Sequence, residues 1–317
     1  LNYIGDDTSS GTKEATSVGI LDGKVAIVTG GGRGLGRAHC LALAEAGAAV
    51  VVNDLGAGLH GERTGESPAD EVVAEIKNLG GLAVANHASV TDWAATEAMV
   101  TETVEHFGRL DIVVNNAGIV RDRMLFSMTE AEFDDVVAVH LKGTFALTRH
   151  ACAYWRDAAK RGEPVAGRVV NTTSGTGLFG NAGQANYGAA KAGIANLTVI
   201  TALEMRRYGV TANAISPLAA TRMTAGLPVS GDGEQDGFDP RAPENASGVV
   251  VYLASDQAGW LTGQVLRVDG ATVNRMRGWT IVDSHPSVTG GAVTAAELAE
   301  ALPQLYGIAP TGKPAVR

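Results

Sequence analysis

The sequence predicts a single doubly wound α/β domain, built on a parallel sheet of about seven strands and carrying a C-terminal extension. Three observations predict it. Short apolar runs rich in Val, Ile and Ala recur along the chain without the polar alternation of a half-exposed strand. Each run is followed by a helical pattern, so successive strands are joined by crossovers that place helices on both faces. A glycine-rich turn lies directly between the first apolar run and the first helical pattern.

Residues 1–20, polar and rich in Gly, Ser, Thr and Asp, are expected to form a flexible leader outside the core. Val25–Val28, Ala49–Val52, Ala83–Ala85, Ile112–Val114, Val169–Val170, Val210–Ile215 and Val265–Val268 read as buried strands. Helical patterns cover residues 34–46, 68–79, 92–107, 130–160, 186–207 and 243–255. Gly47, Gly80, Gly108 and Gly209 stand where several of them end. The main domain then spans 21–274 and the extension 275–317, which packs on the domain or on a neighbouring subunit. Within the extension, Ala295–Leu302 reads as a short helix with Thr294 and Glu297 as its capping box and Pro303 as its stop. Residues 224–242, rich in Gly, Asp and Pro, fall where a substrate-covering loop would lie.

Composition excludes several classes of function. A net charge of −9 leaves no basic run to neutralise nucleic-acid phosphates, though Arg121 and Arg123 form a local basic spot suited to an anionic substrate. No apolar run reaches the ~20 residues of a membrane span. Two cysteines, Cys40 and Cys152, far apart and without metal-ligand spacing, suit a reducing compartment. No metal site is expected, and the expected setting is cytoplasmic.

In such sheets ligands bind beyond the carboxyl ends of the strands, and the chemistry-bearing residues follow the apolar runs. After the first run, Gly30, Gly34 and Gly36 allow a sharp turn and close approach to a pyrophosphate at a helix N-terminus. Arg33 and Leu35 lie inside the same turn. Asp54 ends the second run, where a carboxylate accepts hydrogen bonds from both ribose hydroxyls and repels a 2′-phosphate, which favours NAD over NADP. Ser89 and Val90 follow the third run and frame the adenine. Asn116, Ala117 and Gly118 follow the fourth, where small residues let the strand end lie against the cofactor and an Asn can tie neighbouring strands.

Ser174, Tyr187 and Lys191 form the sharpest pattern. Tyr187 and Lys191 are four residues apart and share a helix face. A lysine ammonium beside it favours the phenolate, as does the positive nicotinamide of an oxidised cofactor, so the tyrosine is expected to titrate below its ordinary ~10 and serve as an acid–base group. Lys191 can also hold the nicotinamide ribose. Ser174 can donate a hydrogen bond to the substrate oxygen, and Gly175, Gly177, Gly180 and Gly183 leave space around it.

Thr29–Gly36, Asn115–Gly118, Ser174, Tyr187-x-x-x-Lys191 and Pro217 together resemble the short-chain dehydrogenase/reductase family over roughly residues 21–274. The resemblance implies a Rossmann-type fold. The segments 51–56, 118–123, 139–145 and 180–187 are similar to the dehydrogenase domain of the peroxisomal multifunctional enzymes of type 2 and to actinobacterial hydroxysteroid and hydroxyacyl-CoA dehydrogenases. The tail around His285 and Thr294 resembles the segment that follows that domain. This likeness implies a hydride transfer between NAD and a 3-hydroxyacyl-CoA or hydroxysteroid, with Tyr187 as general base, Lys191 as its partner and Ser174 as oxygen donor. It implies NAD contacts at Asp54, Ser89, Val90, Asn116, Tyr187, Lys191, Pro217 and the loop Ala219, Ala220, Thr221 and Arg222, and a homodimer or homotetramer.

The sequence departs from the family pattern in places. His140 occupies the position of a water-holding Asn and reads equally as a proton-relay residue or a packed helix histidine. Leu218 stands where the family places Gly, and the loop to Met223 is one residue shorter. Ala271 replaces the second glycine of an Asp-Gly-Gly ending. Substrate shape depends on residues 120–128, 176–186 and 222–242. Two rival readings are a 3-oxoacyl-[acyl-carrier-protein] reductase, which Asp54 counts against, and a non-catalytic NAD-binding redox sensor, which the intact Tyr187–Lys191 pair counts against.

Overall fold

The computed structural model describes residues 19–56, 58, 67–219, 238–288, 290 and 292–306. The leader up to residue 18, the expected covering loop through 237, and Ala220, Thr221 and Arg222 therefore lie outside the described residues.

The first half alternates strand and helix: β1 (Val25–Thr29), α1 (Gly34–Glu45), β2 (Ala49–Asn53), α2 (Pro68–Asn78), β3 (Ala83–Asn86), α3 (Trp93–Phe107) and β4 (Ile112–Asn115). The second half continues with α4 (Glu130–Val137), a π-helical turn over Ala138–Lys142, α5 (Gly143–Lys160), β5 (Arg168–Thr172), α6 (Gly175–Phe179), α7 (Ala185–Met205) and β6 (Thr211–Leu218). Then come α8 (Ser247–Ala254), β7 (Val265–Asp269), β8 (Thr272–Met276) and α9 (Ala295–Tyr306).

Among the described residues the sheet has eight strands in the order β3-β2-β1-β4-β5-β6-β7-β8. All pairs are parallel except β7 with β8. Every residue of β1, β2 and β5 is buried, as expected of strands covered on both faces. Alternate side chains of each strand serve opposite layers. Ala26 and Val28 join Leu43 of α1, Val72 and Ile76 of α2 and Leu253 of α8 in one core. Ile27 joins Met99 of α3, Leu147 and Trp155 of α5 and Met205 of α7 in the other. The chain winds outward from β1 to β3, then crosses to β4 on the other side of β1. A crevice for a ligand therefore opens at the carboxyl ends of β1 and β4.

The structure differs from expectation in four places. The eighth strand is an antiparallel hairpin partner of β7, turned by Gly270 and Ala271, so residues 275 and 276 belong to the sheet rather than to the extension. The pattern over 130–160 is continuous but interrupted by the π-turn that carries His140. The run Gly175–Phe179, glycine-rich and read as open space, forms a short helix whose N-cap is Ser174. Finally α9 runs past Pro303 to Tyr306. A proline removes one N–H and crowds one carbonyl, a loss of roughly 3 kcal/mol that a helix can carry when its neighbouring bonds remain. The capping box at its start forms as expected: Glu297 N–H donates to Thr294 Oγ1 at 3.2 Å, and Thr294 N–H to Glu297 Oε2 at 2.7 Å.

Candidate active site

A cavity of about 470 Å³ lies at the switch point. Gly30, Arg33, Gly34, Leu35, Asp54, Ser89, Val90, Asn116, Ala117 and Gly118 line it, which brings together most of the expected cofactor contacts. Gly30 has φ +62°, and a Cβ there would come within 2.8 Å of the Ala117 backbone. Gly36 does not line the cavity. A Cβ on it would strike the Gly30 carbonyl, so this glycine is required where α1 crosses closest to the turn. Pro217 and Ala219 do not line it either; Pro217 pairs with Val268 within the sheet.

Asp54 is fixed through both carboxylate oxygens rather than left as a loose turn residue. Its Oδ2 accepts from the Gly32 N–H at 3.0 Å and its Oδ1 from the Gly56 N–H at 2.9 Å. Each oxygen keeps acceptor capacity for a ligand hydroxyl. On the far wall, Asn116 Nδ2 donates to the carbonyls of Thr29 and Gly30 at 3.2 and 3.1 Å, tying β4 to the turn after β1. Asn115 performs the same service toward β5 and α5, donating to Asn171 Oδ1 at 2.8 Å and Thr148 Oγ1 at 2.9 Å. A glycine cradle that a single Cβ would fill, beside an anchored carboxylate, fits the extended dinucleotide of an NAD(P)-type cofactor.

Ser174, Tyr187, Lys191 and His140 gather beside this cavity. Lys191 is buried at 3% exposure and its Nζ donates to the Thr172 carbonyl at 2.7 Å, while the Thr173 hydroxyl donates to the Lys191 carbonyl at 2.7 Å. These two bonds fasten α7 to the end of β5 and so set Tyr187 against Ser174. Lys191 Nζ lies 5.6 Å from the centre of the Tyr187 ring. The His140 ring stands edge-on to Tyr187, with ring centres 5.1 Å apart. The π-turn presents His140 here, as such turns do at functional sites. A Cβ on Gly118 would enter the imidazole, so that glycine makes room for the histidine as well as for the cavity.

The charge states differ from expectation. Burial is the largest influence on the phenol and raises it above its ordinary value, with a further rise from Asp122 and a partial opposing pull from the Ser174 hydroxyl. Burial lowers the Lys191 ammonium to about 7. Lys191, held on a backbone carbonyl, does not offset the effect of burial on the phenol. His140 is pushed down to about 3 by burial and by the nearby Lys191, against a raising bond with Ile119. It is therefore neutral. Its Nε2 lies 2.7 Å from the Ile119 carbonyl oxygen and 3.1 Å from the Ile119 nitrogen, and Nδ1 has no hydrogen-bond partner.

Leu55, Ile119, Arg121 and Val139, from segments that resemble the family, also line the cavity, and so do Asn53, Gly58, Ala88, Thr91, Asp135 and Ala138, which no site expectation named. Asp135 and Val139 are four residues apart in the helical run that leads to His140, a spacing that points to a shared face. Arg121, expected to be available to an anionic substrate, lies 3.4 Å from Asp135, and Arg123 lies 2.9 Å from Glu132.

The comparisons with known proteins agree with this architecture. The short chain dehydrogenase family profile matches residues 24–228. A hydroxyacyl-CoA dehydrogenase of Mycobacterium tuberculosis is 47% identical over 268 residues, covering 84% of this chain and 83% of that protein. The peroxisomal multifunctional enzyme type 2 of Mus musculus is 44% identical over 237 residues, covering 74% of this chain but only 30% of its own length, so the chain spans under a third of that enzyme. The crystal structure of a short chain dehydrogenase from Mycobacterium avium superposes with a TM-score of 0.81 at 51% identity, covering 91% of this chain and 96% of that one.

Proposed function

Because the chain belongs to the short chain dehydrogenase family, and is thus an oxidoreductase of CH–OH groups, we propose that it exchanges a hydride between NAD and a bulky secondary alcohol or its ketone, a 3-hydroxyacyl-CoA or a hydroxysteroid. The observation that carries this reading is the convergence of Ser174, Tyr187 and Lys191 beside a cavity whose far end is the twice-anchored carboxylate of Asp54.

When bound, NAD supplies the acceptor for the hydrogen on the alcohol carbon. The protein's part is the proton and the geometry. Tyr187 takes the hydroxyl proton in oxidation and returns it in reduction. Ser174 donates to the substrate oxygen as charge forms there. Lys191 holds the end of β5; Gly30, Gly34 and Asn116 would hold the cofactor from below, and Tyr187 and Lys191 would meet its nicotinamide end. His140 enters as an uncharged partner whose Nδ1 can join a proton relay.

The acyl-CoA preference rests on likeness to a hydroxyacyl-CoA dehydrogenase, and the test is an NAD-coupled activity screen of hydroxyacyl-CoAs against steroid alcohols. Turnover of neither class by protein that still binds NADH would favour a redox sensor instead. The NAD preference rests on Asp54, whose charge opposes a 2′-phosphate. Asp54→Ala should raise kcat/KM with NADP relative to NAD by an order of magnitude or more, and a wild-type enzyme that prefers NADPH would remove the assignment. Apolar side chains left exposed on α5 and α7, Phe145, Ile200 and Leu203, support a homodimer or homotetramer, which a monomer mass by light scattering would rule out.

A further inference from the structure

Gln184 ends the turn between α6 and α7 and is only 8% exposed, an unusual degree of burial for an amide in a glycine-rich turn. Both ends of its side chain are engaged. Nε2 donates to Asp122 Oδ2 at 2.9 Å. Oε1 accepts from the Thr176 hydroxyl at 2.9 Å and from Asn181 Nδ2 at 3.0 Å. These partners come from different segments that border the reacting groups. Thr176 is the residue whose N–H donates to Ser174 Oγ at 3.2 Å. Asp122 belongs to the loop that follows β4 and the cavity wall.

The backbone closes the same junction. Arg123 N–H donates to the Gly183 carbonyl at 2.8 Å, and Arg123 and Gln184 form an isolated parallel bridge. Asn186 Nδ2 donates to the Arg121 carbonyl at 3.0 Å and the Glu132 carbonyl at 2.8 Å, and its Oδ1 accepts from the Tyr187 N–H at 2.7 Å. The loop after β4, the Ser174 turn and the start of α7 thus meet at Gln184, and Asn186 adds a second tie between that loop and α7.

We propose that Gln184 is a positioning residue: its amide locks the Asp122 loop to the Ser174–Thr176 turn at the entrance to α7, so that Ser174 and Tyr187 hold one spacing around the substrate oxygen. The proposal rests on the reading of Ser174 and Tyr187 as the reacting pair. Its chemical signature is polarity. The bond to Asp122 needs a donor on one side and an acceptor on the other, and the two can be exchanged. In Gln184→Glu two carboxylates face each other, whereas in the double variant Gln184→Glu/Asp122→Asn the asparagine donates and the glutamate accepts. The glutamate still accepts from Thr176 and Asn181.

The test is the four-corner cycle of wild type, both single variants and the double variant. Expected for Gln184→Glu is a fall in kcat on the order of 10- to 100-fold, as for misplaced reacting groups, with the NADH dissociation constant unchanged. The double variant should recover at least tenfold of that loss, a coupling that an indifferent pair would not show. Hydrogen exchange at the Arg123 amide gives a reading independent of turnover: faster in Gln184→Glu, restored in the double variant. Gln184→Met, which cannot donate or accept, serves if the glutamate variant fails to fold, and should show the same kcat loss and faster exchange. Additive kcat effects, or an Arg123 amide indifferent to all the variants, would overturn the proposal while leaving the dehydrogenase reading intact. Absence of turnover by the wild-type protein on any alcohol would overturn that reading, and the positioning role with it.

Discussion

Tyr187→Phe should retain NADH binding and lose turnover by roughly 10²- to 10⁴-fold, the range that a positioned acid–base group contributes. Binding survives because the cavity wall is made by Gly30, Arg33–Leu35, Asp54, Ser89–Val90 and Asn116–Gly118, not by the phenol. Turnover fails because, among the described residues, no other side chain takes the place of the phenol as proton donor and acceptor. His140 is neutral and bound to the Ile119 backbone, and Lys191 is committed to the Thr172 carbonyl. NADH fluorescence titration beside steady-state rates measures both halves of the expectation. A variant that kept its rate would refute the assignment of Tyr187.

The same experiment reads out the phenol's electrostatics. Four groups face it: the Ser174 hydroxyl, the Asp122 carboxylate, the Lys191 amine and the His140 ring. Burial outweighs them and holds the phenol protonated at neutral pH. In that form Tyr187 is ready to give a proton to a ketone, and it must first lose one to oxidise an alcohol. Alcohol oxidation by the wild type should therefore rise with pH from neutral upward. Ketone reduction should not show that rise, and Tyr187→Phe should abolish it.

What could be read in the sequence follows from where each constraint originates. The parallel strands were legible because burial on both faces leaves a continuous apolar run, and Val25–Val28 differs from β1 by one residue. The glycine turn and Asp54 were legible because the requirement is local: a backbone approach at Gly30, a strand end at Asp54. β8 was not, because an exposed edge strand needs no apolar face and all but its last residue are exposed; the Asp269-Gly270 pair before it was the available hairpin signal. The π-turn at His140 adds one residue to a turn without breaking the apolar pattern of 130–160, so periodicity could not reveal it. Gln184 and Asp122 are 62 positions apart; each lies in a segment that resembles the family, but only the pairing of two loops gives their contact meaning. The charge state of Tyr187 escaped for a related reason. Spacing shows that a lysine is near, whereas the depth of burial that weakens both groups is a property of the packed site.

A second large effect is expected in the stability of the fold in mild acid. His39 on α1 is fully buried, its Nδ1 lies 2.9 Å from Ser247 Oγ on α8, and its Nε2 has no partner. Burial lowers it from 6.5 to about 4. The unfolded chain therefore takes up a proton near pH 6.5 that the folded chain refuses until about pH 4. This contribution is fully present above pH 6.5 and is lost as pH falls toward 4, at about 1.4 kcal/mol per pH unit, or roughly 3 kcal/mol in all. His140, lowered to about 3, acts with the same sign over a window that extends further down. Burial also lowers His150 on α5 from 6.5, with the same sign. Lys191 changes between 10.5 and about 7, and Glu132, lowered from 4.5 to about 2 by its bonds to Thr129 and Arg123, loses its contribution only below 4.5. Between pH 6.5 and 4.5 these three buried histidines thus govern the slope. His39→Leu should make it clearly shallower, by the share of one of the three, in urea denaturation series taken across that interval, whatever the variant's absolute stability at pH 7. Parallel slopes for the variant and the wild type would mean that the folded protein already admits a proton at His39, and that the α1–α8 contact is open to water on the unfolding timescale.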